Sequence, residues 1–266
     1  MSGASERPSG ASERPSGDSR WRQYCASFLL VLAVWQVMSY FFPPFLVPSV
    51  PKVAGQVWQI IAERDTALHA GATFARIIAG LSLSFLIGFL LGLWMALYRP
   101  AADLLLPIIH VIQGVPSLSW VIIAVIWFKD MESRALFVLL ASGLPNFSIQ
   151  IHDAVRDISR DLWEMVQALR PSRRQMLRHM ILPAIVPEVF TAWKINLGIA
   201  TRVVIIAELV GSTFGIGYQL RLSQDLFNMA AVVAWTLALV LFAVVGEQVL
   251  ALLEKRLLRW RPSFGR

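Results

Sequence analysis

The chain has 266 residues, 56% of them apolar, with a formal net charge of +7 and a mean hydropathy of +0.61. Its apolar residues gather into runs near or above the roughly 20 needed to cross a bilayer, which excludes an ordinary soluble domain; the basic residues flank those runs, where membrane orientation explains them without nucleic acid. One cysteine, Cys25, excludes an intramolecular disulfide, and His69, His110, His152 and His179 show no metal-binding spacing, so no metal is expected.

Residues 1–22 contain the direct repeat S-G-A-S-E-R-P, too polar to build a core, and are expected to be a disordered tail. The apolar run Tyr24 to Phe42 leads into F-P-P-F-L-V-P rather than a small-residue cleavage site and reads as an uncleaved first span. Val50 to Gly71 places Val53, Val57, Trp58, Ile60 and Ile61 at helical spacing among polar residues, the pattern of an interfacial helix, so 23–71 forms one unit with the first span. Five further spans follow on apolar length: Ala72 to Tyr98, Leu104 to Phe128, Ala135 to Ile151, Val189 to Gly211 and Ala230 to Leu253. The fold class is thus an all-α membrane protein of six transmembrane helices, with a five-helix core over 72–254 and a basic tail over 255–266. Gly80, Gly88 and Gly92 suit close helix packing, within the subunit or between copies. Pro107, Pro116 and Pro145 free carbonyls that lipid cannot satisfy, so their segments should face protein or a water-filled path.

The longest polar interruption runs from Asp153 to Pro183 and carries six arginines: Arg156, Arg160, Arg170, Arg173, Arg174 and Arg178. A helix can open at Asp161, with acidic residues near its positive end, and Pro171 ends or redirects it. Ser172 can then cap a second helix whose Met176, Leu177, Met180 and Ile181 form an apolar stripe. With both termini in the cytoplasm, this loop, Arg7, Arg14, Arg20, Arg22, Arg99 and the C-terminal basic cluster lie inside. Only Lys52, Arg64, Arg76, Lys129, Arg134 and Arg221 lie outside, an asymmetry that orients the chain.

Glu164, Ala168-Leu169 and the turn ending Ile181-Leu182-Pro183 resemble the EAA loop of permease subunits in binding-protein-dependent ABC importers. The likeness to the nitrate, sulfonate and taurine permease family continues through V-P-S-L at Val115, I-W-F at Ile126, S-G-L-P-N-F at Ser142, A-E-L at Ala207, G-I-G-Y at Gly215 and E-K-R-L-L-R-W-R-P from Glu254. The resemblance implies an inner-membrane permease that is not itself an enzyme and has no catalytic residues. Its partners would be an ABC ATPase subunit, a substrate-binding protein and a second copy of itself. It also implies that Glu164, Ala168, Leu169, Arg170, Ser172, Arg173 and Arg174 couple the membrane part to the ATPase, and that ATP binding there rocks the spans between inward- and outward-facing states. The chain has no G-x-x-x-x-G-K-[ST], so it holds no cofactor and ATP belongs to the partner. Met165 and Val166 replace the family's alanines and Arg170 its glycine, which predicts a bulkier knob with altered turn geometry. A basic loop resting on anionic lipid is the competing reading of the same residues.

Lys194, Arg202 and Glu208 fall inside the fifth span, where ionisable groups require protein or water as neighbours. Lys194 can snorkel to the cytoplasmic edge. Arg202 and Glu208 stand about 9 Å apart along a helix and on different faces, so each needs another partner. Arg202 either faces the pathway and attracts an anion or braces a neighbouring helix; Glu208 fixes the outer gate. Pro116 and Asn146 complete the expected path or gate. Small anions of the sulfonate, taurine or nitrate type are the expected solutes, with a pyrimidine-type vitamin precursor as the alternative. A membrane enzyme lacks convergent acids, bases or metal ligands, and an ion-coupled secondary transporter would need intramembrane carboxylates, of which Glu208 alone is a candidate.

Overall fold

The computed structural model describes residues 17–258, with side chains from Ala26 onward; the N-terminal repeat and the end of the basic tail lie outside the described residues. These residues form helices α1 (Gly17–Phe41), α2 (Val50–Ala62), α3 (Arg64–Leu97), α4 (Arg99–Gly114), α5 (Ser117–Trp127), α6 (Met131–Arg156), α7 (Arg160–Ala168), α8 (Arg173–Met176), α9 (Leu182–Gly211), α10 (Ile216–Asp225) and α11 (Met229–Leu257). A π-helical turn, Leu177–Ile181, joins α8 to α9. Pro183 has no N–H to offer, and the i to i−5 bond from Leu182 N–H to the Leu177 carbonyl carries the helix past that gap.

Among the described residues, four helices are long and apolar enough to cross a membrane: α3, the continuous run Arg173–Gly211, α6 and α11. The expected span Leu104 to Phe128 is not one straight helix. It is α4 and α5, meeting at 90°, and counts as a fifth crossing only if the bent pair is taken together. Pro116 is the cause, because it cannot continue a hydrogen-bond ladder and pushes Val115 into an extended conformation (φ −74°, ψ 125°). The apolar part of α1, Ala26–Phe41, is shorter than these. Helix α1 also begins at Gly17, inside the segment expected to be a disordered tail. The expected interfacial helix ends at Ala62, and residues 64–71 already belong to α3. Helix α2 buries Val53 and Ile60 against Trp235 and Leu239 of α11 and leaves Trp58 and Ile61 exposed.

The centre of the subunit is α3 against α6 and α9. Ile77 and Leu81, Ala135, Leu139 and Phe147, and Ala192, Leu197, Ala200 and Val204 form one cluster across the three helices. The glycine pattern works inside the subunit. A Cβ at Gly88 would meet the Phe147 Cβ at 2.7 Å and one at Gly92 the Ser148 carbonyl at 2.5 Å, so only glycines let α3 and α6 approach this closely.

Candidate functional site

Three arrangements on the scaffold carry chemistry, and they occupy different levels. At one end, α7 and α8 form an exposed knob. Its base is set by Trp163, which packs against the buried cluster of Ile151, Ala154, Val155, Ile181 and Ile185. Ser172 caps α8 by accepting from the Gln175 N–H (3.3 Å) while Gln175 Oε1 accepts from the Ser172 N–H (2.9 Å), a complete capping box. Arg170 takes the left-handed conformation expected of glycine, with φ +47°. The turn therefore keeps a glycine-like geometry despite the substitution, correcting the expectation that it would change; the cost is about 1–2 kcal/mol of backbone strain. Glu164, Ala168, Leu169, Arg170, Ser172, Arg173 and Arg174 all lie on this knob and all are exposed. Of the expected stripe, Met180 and Ile181 are buried and Met176 and Leu177 partly so, and they anchor the knob to the bundle.

About 25 Å away along α3, a buried ionic cluster joins the opposite helix ends. Glu208 of α9 is fully buried. Its carboxylate accepts from Arg76 Nη1 (2.7 Å), the Thr73 hydroxyl (2.8 Å) and the Gly217 N–H (2.7 Å). Arg76 also donates to Glu132 (2.6 Å from Nη2) and to the Phe214 carbonyl (3.0 Å). His69, one turn before Thr73, accepts from the Gly215 N–H (3.0 Å) and lies on the Phe214 ring at 4.0 Å. Gly215 has φ +125°, and a Cβ there would fall 2.6 Å from the Glu208 carboxyl, so the turn into α10 closes only around glycine. Nearby, Arg134 and Arg221 donate to carbonyls at the end of α9, including those of Gly211 and Ser212, which compensates groups that no helix can satisfy there.

Between these levels, at the Pro116 break, lies a cavity of about 410 Å³. Arg202, Pro116 and Asn146 line it, together with Gln113, Ser142 and Trp120. Gln113 Nε2 donates to Asn146 Oδ1 (2.7 Å), tying α4 to α6. Three of the four expected path residues thus meet, while Glu208 does not line this cavity and belongs to the ionic cluster instead. Arg202 and Glu208 do not pair with each other, as their helical spacing requires. Lys194 pairs with Glu254 of α11 at 2.5 Å. The sequence reading missed His69, Thr73 and Arg76 as a set. Their spacing of i, i+4 and i+7 puts them on one face of α3, and an arginine within an apolar helix was the available signal.

Residues 88–259 match the family model described as binding-protein-dependent transport system inner membrane component. The chain belongs to this family. The permease is 28% identical to the taurine transport system permease protein of Escherichia coli, over 87% of this chain and 86% of that one. It is also 28% identical to the riboflavin transport system permease protein of Chloroflexus aurantiacus, over 88% of each chain. In fold, it resembles a chain of a bacterial alginate ABC transporter, solved in complex with an alginate-pentasaccharide-bound periplasmic protein. That match has a TM-score of 0.58 and 17% identity, and covers 96% of this chain and all of the other. The permease is an all-α membrane component of a solute importer.

Proposed function

We propose that two copies of this permease enclose the solute path of an ATP-driven importer, each copy seating its α7–α8 knob in an ABC ATPase subunit. The knob is the observation that carries the reading. Helix α7 buries no residue, and Met165 and Leu169 are 61% and 79% exposed beside Arg170, Arg173 and Arg174. Apolar side chains ringed by charge, fixed from below by Trp163 and the Ser172 cap, suit a partner surface better than bulk water. The chain carries no phosphate-binding loop motif, so nucleotide binding and hydrolysis fall to the partner and the permease needs no cofactor. Both termini and the knob face the cytoplasm, and the ionic cluster faces outward, where a substrate-binding protein delivers solute. Closure of the ATPase dimer on ATP moves the knob. Because α8 runs through the π turn into α9, that motion passes to Arg202 and Glu208 on one continuous helix.

The solute is a small anion of the sulfonate, taurine or nitrate type, for which Arg202 supplies the attraction. A vitamin-type heterocycle is the second reading, supported by the riboflavin permease among the relatives. Glu164→Ala and the charge reversal Arg173→Glu/Arg174→Glu test the coupling surface. Uptake is expected to fall at least about ten-fold, the effect of losing roughly 1.4 kcal/mol at a docking surface, with membrane insertion unchanged. Full uptake by either variant would rule out the docking role. Co-purification in mild detergent tests the partnership: a stoichiometric P-loop ATPase is expected, and its absence even with an ATP analogue would refute the importer reading.

A further inference from the structure

We propose that the cavity at the Pro116 break is a recognition site in the permease itself, selecting organic anions with an apolar body over small inorganic oxyanions. The inference rests on the importer reading and adds the solute class that the membrane subunit accepts.

Size is the first argument. About 10–15 Å³ by the same measure admits one water molecule, so a cavity of about 410 Å³ is far too roomy for nitrate and falls in the range of small-molecule pockets. Charge is the second. Arg202 is the only charged residue lining the cavity, and among the described residues it has no hydrogen-bond or salt-bridge partner. Among the described residues, Glu208 and Glu132 pair with Arg76, and Glu254 pairs with Lys194. An arginine within an apolar helix persists where it faces a wet cavity, and there it attracts negative charge. Lining chemistry is the third argument. Trp120, Ile199 and Val203 supply an apolar wall from α5 and α9, and the Gln113–Asn146 pair supplies a polar one. One fixed cation, an apolar wall and a hydrogen-bonding wall together match an alkyl or aryl chain ending in a sulfonate or carboxylate, while nitrate leaves the apolar wall unused.

The test uses the full permease with its co-purified ATPase, in which Cys25→Ala removes the native thiol and Ser142→Cys places a reporter on the cavity wall. Modification by an anionic methanethiosulfonate reagent is expected to run at least about ten-fold faster than by a cationic one of similar size, the lower end of electrostatic focusing in a cleft. Butanesulfonate should slow it several-fold, and nitrate at the same concentration should not. Arg202→Met should abolish both the charge preference and the protection, and Arg202→Lys should retain the charge preference. Ser117→Cys serves as a second reporter if the first variant accumulates poorly. Equal rates for the two reagents would overturn the anion site, and equal protection by nitrate would overturn the selection for an organic body. Either failure, with the ATPase still bound, leaves the importer reading standing; loss of the ATPase from the unmodified protein would sink that reading instead.

Discussion

Glu208 sits with no solvent exposure in the last turn of α9, where an unpaired carboxylate would cost several kcal/mol. Arg76, Thr73 and the Gly217 N–H compensate it from α3 and α10, and Arg76 spends its remaining donors on Glu132 and the Phe214 carbonyl. Removing one partner leaves the other buried with its bonds unmade. Arg76→Met and Glu208→Leu are therefore each expected to destabilise the protein by about 3–5 kcal/mol, with the double variant costing less than the sum by about 1–3 kcal/mol. Denaturation in detergent measures this cycle, and strict additivity would show that the two side chains do not act as a pair. Arg170 presents the opposite case, an exposed side chain accepting backbone strain that glycine would avoid. Its N–H still donates to the Gln167 carbonyl (2.9 Å), and among the described residues its guanidinium makes no hydrogen bond.

Helix α9 and the short helices before it act as one element. The Ser172 capping box starts α8, the π turn carries the chain past Pro183, and Met180, Ile181 and Ile185 bind the join to the bundle. Loss of the cap should loosen the knob without touching its exposed face. Ser172→Ala is expected to cost about 1 kcal/mol locally and to raise the rate of tryptic cleavage at Arg173 and Arg174 about five-fold; unchanged cleavage would show that packing alone holds α8. The cap was legible beforehand because it depends on residues a few positions apart. The break between α4 and α5 was only half legible: Pro116 announced disruption, but a proline inside an apolar run is compatible with a kinked single span, and the 90° turn depends on what α6 and α9 leave room for.

Across the whole molecule, the knob and the ionic cluster occupy opposite ends of the α3 and α6 pair, so the proposed coupling surface and the proposed solute entry fall on opposite sides of the bilayer. Single-cysteine variants in a Cys25→Ala background test that orientation. Leu169→Cys is expected to label with an impermeant thiol reagent only in inside-out vesicles, and Leu226→Cys, at an exposed tip beyond α10, only in right-side-out ones; the swapped pattern would invert the topology, and labelling of both from one side would refute the placement on opposite sides. The sequence by itself determined that the chain lives in a membrane, where most of its apolar helices lie, which segments carry positive charge and where the knob's helices begin. Those properties arise from hydropathy, charge and capping, which act over one helix or less. Only the tertiary structure decided that Glu208 belongs with Arg76, 132 positions away, rather than with Arg202 on its own helix. It alone gathered Gln113, Asn146 and Arg202 from three helices around one cavity, because which faces of distant helices meet depends on the packing of the entire bundle.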